Sequence, residues 1–212
     1  MTSGPEPATP IAVRVADRLN DRLEAGGWRR HRFVPDDEVA FVRKPFNGFV
    51  FHFGVNLAGR HIVSLDSTAG VEHVAAAELQ RCLYGRRGTV CQVGASMIDL
   101  IRGQEPTNVA PSRWWVASPE QVDEAVAQLV ADLWSYGEPF LARHQTLSAV
   151  VDTLLGQPKS QVEYGTLAVC LAMLGDLPKA RAMLAQFGAA RQVFAGGPTE
   201  TFIHNFTQRF GI

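Results

Sequence analysis

An apolar pattern with a period of two over positions 38–66 constrains this chain more than any other feature. In the stretch EVAFVRKPFNGFVFHFGVNLAGRHIVSLD the large apolar residues recur mostly at every second position, which is the period of a β-strand. Its Asn47-Gly48 and Ala58-Gly59 pairs are typical of tight hairpin turns. We therefore expect three antiparallel strands, with one face of the middle strand against the core. That face carries Phe49, Phe51, Phe53, Val55 and Leu57.

Helices and short strands are predicted before and after this segment. Thr9 is the predicted N-cap of a first helix, which has an apolar residue at every fourth position and ends at Gly26-Gly27. Residues 28–34 read as a charged edge strand. Three further segments follow in order: a helix over 71–84, a strand over 89–93 where a short helix is the alternative, and a loop over 102–112.

Two tryptophans precede the clearest helix start in the sequence. Ser118 and Gln121 have the spacing of a capping box, with a proline at the first helical position. The helix then carries an apolar stripe made by Val122, Val126, Leu129, Val130 and Leu133. We expect a strand over 113–117 that leads into this helix, which folds back over the sheet. Neighbouring strand residues point to opposite faces, so one of Trp114 and Trp115 is core and the other is exposed or covered.

Helix start and stop signals alternate through the rest of the chain. Ser160 with Glu163 has capping-box spacing, and Thr199 opens the last helix. Gly175-Asp176 separates two helices that lie between these signals. The last helix has an apolar stripe that suits packing on its own chain or on a neighbour, so it is a candidate interaction helix. The stripe consists of Phe202, Ile203, Phe206 and Phe210.

The order of these elements predicts the fold class. We expect an α+β protein, with an antiparallel β-sheet, helices packed on one face of it, and an all-helical C-terminal lobe. For a chain of 212 residues, one domain with an extension is the natural division. The predicted parts are a disordered tail over 1–9, the α+β domain over 10–143, and the helical lobe over 144–212 packed on that domain.

Charge and cysteine content argue against several function classes. The formal net charge is −1 and the pI is about 6.6, so electrostatics gives no reason to expect a nucleic acid as partner. The cysteines form no disulfide framework, and we expect Cys82 and Cys91 to be small core residues of a cytoplasmic protein. Neither a membrane-spanning apolar run nor a signal peptide is recognisable.

The sequence holds no familiar catalytic or phosphate-binding motif, so the candidate site is a polar strip on the predicted sheet. With a two-residue turn at Ala58-Gly59, His52 and His61 share a face but lie about 13 Å apart, at roughly 3.4 Å per residue. Two ligands of one zinc ion each lie about 2 Å from it, so we expect no metal and no cofactor. The candidate binding strip comprises Arg43, His52, Asn56, His61, Trp114 and Trp115. A solvated sheet face is the alternative to a strip that binds anionic groups.

Two stretches resemble known families. Trp114-Trp115 before a capped helix, with Pro139-Phe140-Leu141 at the end of that helix, resembles a group of small uncharacterised bacterial α+β domains over residues 9–155. Some of these domains look like immunity or accessory proteins, which implies binding to a partner protein. The stretch LAVCLAMLGDLPKARAMLAQF resembles one tetratricopeptide-like helical hairpin. An ordinary helix pair is the alternative there, because such arrays need about three copies.

These observations leave two hypotheses about function. The first is a non-enzymatic cytoplasmic interaction module of the immunity or accessory type, which binds another protein through the strip or the last helix. A homodimer is left open. The alternative is a small-molecule binder or enzyme with a pocket between the mixed sheet face and the C-terminal helices. That pocket would use Arg43, His52 and His61.

Overall fold

The structure is a computed structural model, and it describes most of the chain in two compact units. The described residues are 10–31, 38–45, 48–59, 62–85, 91–105, 113–157, 160–189 and 198–212. The first unit takes the described parts of 10–45, 50–70 and 94–142, and the second takes those of 48–49, 71–93 and 143–212. In the part of the chain that is described, no helix is both long enough and apolar enough to cross a membrane.

The elements confirm the predicted α+β class, with an antiparallel sheet and a helical C-terminal region. The strands are β1 (Arg29–Arg30), β2 (Glu38–Arg43), β3 (Phe49–Ala58), β4 (Val63–His73), β5 (Val93–Ser96) and β6 (Trp115–Val116). The helices are α1 (Pro10–Glu24), α2 (Val74–Tyr84), α3 (Met97–Gln104), α4 (Val122–Asp132), α5 (Glu138–Arg143), α6 (Leu147–Gly156), α7 (Gln161–Met173), α8 (Leu177–Ala189) and α9 (Pro198–Phe210). The strand order is β1-β2-β3-β4-β5, with β6 also pairing with β4.

The central strand follows the predicted alternation. The five apolar residues from Phe49 to Leu57 are buried, whereas the residues between them are half-buried or exposed. Strand β2 pairs with β3 in the register that sets Phe41 opposite Phe53 and Val42 opposite His52. The bulky face of the sheet therefore belongs to the core, as binary patterning requires.

The connection between β3 and β4 is longer than predicted. Strand β3 ends at Ala58 and β4 begins at Val63, so the expected two-residue turn at Ala58-Gly59 is wrong. Gly59 has a φ of 111°, and a Cβ at this position would collide with the carbonyl oxygen of Ile62. The predicted hairpin register depended on the two-residue turn and therefore does not hold. His61 lies outside the described residues.

Three other boundaries differ from the sequence-based prediction. Strand β4 runs to His73, so the predicted helix over 71–84 begins only at Val74. Strand β5 covers 93–96 and leads directly into α3, whereas residues 86–90 lie outside the described chain. Strand β6 covers only Trp115–Val116 of the predicted strand 113–117. Side-chain caps mark two of these ends, since His73 accepts from the Ala76 amide at the start of α2 and Ser96 accepts from the Asp99 amide at the start of α3.

The first unit packs α1 against α4. In α1 the apolar residues that recur every four positions, Val15, Leu19 and Leu23, are fully buried. In α4 the predicted stripe from Val122 to Val130 is buried as well, together with Leu133 in the π-helical turn that follows (Leu133–Gly137). The capping box of Ser118 and Gln121 is present and starts the turn that precedes α4.

The second unit is built around an aromatic cluster. Helix α9 packs on α2 and α8, and α7 packs on α6 and α8. Phe202 and Phe206 of α9 are fully buried, with Phe202 against the rings of Tyr84 and Phe187. Ile203 and Phe210 are half-buried. The apolar stripe of the last helix therefore packs on its own chain.

The turn between α7 and α8 depends on a glycine in the left-handed backbone conformation. Gly175 has a φ of 84° and open space around it, so an alanine there meets only backbone strain. We expect Gly175→Ala to lower the free energy of unfolding by about 1–2 kcal/mol. Gly156→Ala is the matched control, because Gly156 is helical and also has open space. It is expected to raise stability by about 0.4–1 kcal/mol in urea denaturation. Equal effects of the two variants on stability would contradict the view that the turn requires the positive φ of Gly175.

The start of α2 gives the fold a pH-dependent element. Nδ1 of His73 caps the helix by accepting a hydrogen bond from the Ala76 amide at 3.1 Å, and its ring stands edge-on to Phe49. Burial lowers the pKa of His73, and a main-chain hydrogen bond offsets part of this effect. The folded pKa is thus below the unfolded value of about 6.5. The contribution of His73 to stability is complete above the unfolded pKa and is lost as the pH falls from that value through the lower pKa of the folded state.

We expect His73→Asn to flatten this pH dependence, because asparagine caps a helix without titrating. Urea denaturation at pH 8 and at pH 5 measures the effect in both proteins. The natural protein should lose more stability between the two pH values than the variant does. Identical losses would mean that other groups set the pH dependence.

Candidate functional site

Arg43 lies on the core-facing side of the sheet, away from the predicted strip. The register pairs Arg43 with Phe51, which is buried, whereas His52 pairs with Val42 on the opposite face. The guanidinium carbon lies 5.0 Å from the ring centroid of Trp28, 5.4 Å from Phe51 and 5.8 Å from Trp134. The guanidinium also donates to the carboxylate of Glu138. Cation–π contacts and an ion pair thus occupy this cation within its own unit.

The predicted strip therefore lacks Arg43 but keeps His52 and Asn56. His52 and Asn56 share the outer face of β3, and Asn56 pairs with Glu38 of β2. Between them, Gly54 has the side chains of Glu38 and Thr68 as its nearest neighbours. Because Arg43 lies on the other face of the sheet, this face lacks the guanidinium that was expected to bind anions.

The two tryptophans separate as predicted. Trp114 is 3% exposed and Trp115 is 47% exposed. Strand β6 pairs Trp115 with Ser64 and Val116 with Val63 of β4. The carbonyl oxygen of Trp114 accepts a hydrogen bond from the Leu65 amide at 3.3 Å, which continues this pairing by one residue. The backbone of the pair is thus held on β4 while the indoles point in opposite directions.

A buried carboxylate on α4 fastens this segment to the helix. Asp132 accepts hydrogen bonds from Arg113 Nε at 2.7 Å and Arg113 Nη2 at 2.8 Å. It also accepts from Trp114 Nε1 at 2.8 Å and from Gln128 Nε2 at 3.0 Å. The Asp132 side chain is only 4% exposed. Its hydrogen bond raises the pKa of Arg113, so the guanidinium stays protonated in this bidentate pair.

Sequence reasoning missed Asp132, although a signal was present. Asp132 stands among the buried residues of α4, between Val130 and Leu133. An acidic residue on the apolar side of a helix needs a cationic partner, because an unpaired buried charge is costly. Arg113 was a candidate for that cationic partner, because it directly precedes the tryptophan pair in the strand that is predicted to lead into α4.

A small cleft opens between the exposed tryptophan and α4. Its volume is about 300 Å³, and it is lined by Arg113, Trp115, Gln121, Glu124, Ala125 and Gln128. Oε1 of Gln121 is engaged by the amides of Ala117 and Ser118, at 2.7 and 3.2 Å. The amide nitrogen of Gln128 is engaged by Asp132. The side chains of this wall are therefore largely fixed in place.

A larger cleft lies in the second unit, between α2 and α9. Its volume is about 760 Å³. Apolar and polar side chains both line it, and the lining residues are Ala75, Glu78, Leu79, Cys82, Leu83, Met173, Asn205, Gln208, Arg209 and Phe210. Asn205 Nδ2 donates to the Leu83 carbonyl at 3.0 Å, which ties α9 to α2 along this cleft.

The cysteines are placed differently from the prediction. Cys82 and Cys91 are exposed, so the expectation that they fill small core positions is wrong. Cys170 of α7 takes such a position, and its burial raises the pKa of the thiol to about 12. Among the described residues, no three His, Cys, Asp or Glu side chains are grouped so that they would hold a metal ion.

Comparison of the chain with family models, with curated proteins and with solved structures finds no match. The arrangement of the side chains is therefore the basis for any statement about function.

Removal of the buried carboxylate tests whether it organises the tryptophan segment. Asp132→Ala leaves the part-buried Arg113 cation and the Trp114 N–H without their acceptor. We expect a loss of about 3–5 kcal/mol in the free energy of unfolding, measured by chemical denaturation. Asp123→Ala on the same helix is the control, since Asp123 forms an exposed ion pair with Arg18. It should cost no more than about 1 kcal/mol. Similar losses for both variants would contradict the role of Asp132.

Proposed function

We propose that the protein is a non-enzymatic protein-binding module whose contact surface centres on Trp115. The observation that carries this proposal is an indole that is 47% exposed although its backbone and both flanking segments are fixed. Tryptophan is among the residues that most often dominate the binding energy of protein interfaces. An exposed tryptophan on a fixed segment is therefore a candidate anchor for a partner.

The fixed setting of Trp115 favours binding because little order has to be created when a partner arrives. Before it, Arg113 and Trp114 are held by Asp132. After it, the capping box of Ser118 and Gln121 fixes the turn into α4. An interface side chain that is ordered beforehand, such as that of Arg113, avoids the conformational cost of about 0.5–1.5 kcal/mol that a free one pays.

The surroundings of Trp115 also have the composition of an interface. The polar side chains of Arg113, Gln121, Glu124 and Gln128 line a cleft together with Trp115. An apolar centre with a polar rim is the usual arrangement of specific protein contacts.

A small-molecule binder is the second candidate, and the larger cleft in the second unit favours it. A volume of about 760 Å³ lies within the range of about 300–1,000 Å³ that ligand pockets occupy. A lining that combines apolar side chains with a few polar ones, such as Arg209 and Glu78, is typical of such pockets. Stabilisation of the protein by a metabolite, lost in a variant of this cleft, would favour this candidate.

Affinity capture from lysate of the native host, with mass spectrometry, tests the first proposal. We expect Trp115→Ala to reduce the retained partner at least about tenfold, because truncation of an anchoring tryptophan typically costs 2 kcal/mol or more. Val13→Ala is the matched control, since Val13 is an equally exposed apolar residue of the same unit, on α1. It should leave capture unchanged. Equal capture by the natural protein and the folded Trp115→Ala variant would refute the proposal.

A further inference from the structure

We infer that the cleft beside Trp115 receives an arginine side chain of the partner. This inference rests on the proposed function and names the chemistry of the contact. The cleft is lined by the exposed Trp115, by Arg113 and Gln121, and by Glu124, Ala125 and Gln128 of α4. Three properties of it select an arginine: its charge, its aromatic wall and its size.

The charge of the cleft is negative. The guanidinium of Arg113 is neutralised by its bidentate pair with Asp132. Glu124 also lines the cleft, and within the described ranges its carboxylate has no ion pair. A group that enters the cleft therefore meets one uncompensated negative charge, which favours a cation over an anion or a neutral group.

The aromatic wall suits a planar cation. A guanidinium stacks on an indole face and pairs with a carboxylate at the same time, which a compact ammonium does less well. The protein itself holds an arginine in this way, since Arg43 lies over Trp28 and Trp134 while it pairs with Glu138. Trp115 and Glu124 offer the same two groups to an arginine from outside.

The size and the hydrogen-bonding groups of the cleft agree with one long side chain. A volume of about 300 Å³ is at the lower end of the range for ligand pockets. The amide nitrogen of Gln128 is directed to Asp132, which leaves Oε1 of the same amide as an acceptor. Arginine brings five N–H donors, so one guanidinium can serve Glu124 and Gln128 together.

An NMR titration with small arginine analogues tests this inference. The probes are the N-acetyl, N-methylamide derivatives of arginine, lysine and citrulline, and the signal is the indole N–H of Trp115, assigned with Trp115→Phe. We expect the arginine derivative to shift this signal at lower concentration than the lysine derivative. Citrulline has nearly the same shape without the charge and should bind at least about threefold more weakly.

Glu124→Gln and Glu120→Gln form a matched pair of variants. Both remove one negative charge from the same region of the chain, but only Glu124 lines the cleft, whereas Glu120 is engaged by Ser118. We expect Glu124→Gln to weaken the response to arginine about threefold or more, and Glu120→Gln to change it much less. The inference is overturned if citrulline matches arginine, or if both variants respond alike.

The two proposals fail separately. If Trp115→Ala abolishes capture of the partner while the arginine derivative leaves Trp115 unperturbed, the assignment of arginine is wrong and the binding role stands. If the arginine derivative binds as described while Trp115→Ala captures the partner normally, the cleft is supported and the binding role of Trp115 in that complex is wrong.

Discussion

The hydrogen bonds to the Asp132 carboxylate are the interaction on which the proposed site depends. A buried charge is tolerated only when it is paired and hydrogen-bonded, and Asp132 meets both conditions through Arg113, Trp114 and Gln128. The same contacts bury one indole and fix the segment from which the next one projects. Trp115 is thus exposed because its neighbour Trp114 is buried against Asp132. The same hydrogen bonds hold Arg113 and Gln128, which line the cleft beside Trp115.

A second guanidinium–carboxylate pair lies close in sequence to the first. Asp132 directly precedes the π-helical turn Leu133–Gly137, and Glu138 directly follows it. The turn also carries Trp134, which contacts Arg43, the partner of Glu138. A π-helical turn changes the direction of the residues after it relative to a regular helix, and such turns are frequent at functional sites. Here the two carboxylates on either side of the turn each hold an arginine that comes from elsewhere in the first unit.

The sequence predicted the kinds of elements better than their contacts. The alternation in β3, the stripe of α4 and both capping boxes follow from local spacing, and each is found in the structure. The side on which Arg43 lies did not follow, because register in a hairpin depends on where the turn closes. The Asp132 pair was missed for a related reason, since it joins residues 19 positions apart. The opposite directions of Trp114 and Trp115 were predictable because the period of a strand alone fixes them.

The proposed role of Trp115 requires a side chain that is exposed and yet held in place before any partner binds. The ¹⁵N relaxation of its indole N–H, measured in the free protein and in Asp132→Asn, reports directly on that order. We expect an order parameter close to the value of about 0.85 for a rigid backbone, and a lower one in the variant. A value below about 0.6 in the natural protein would show a mobile side chain and contradict this requirement.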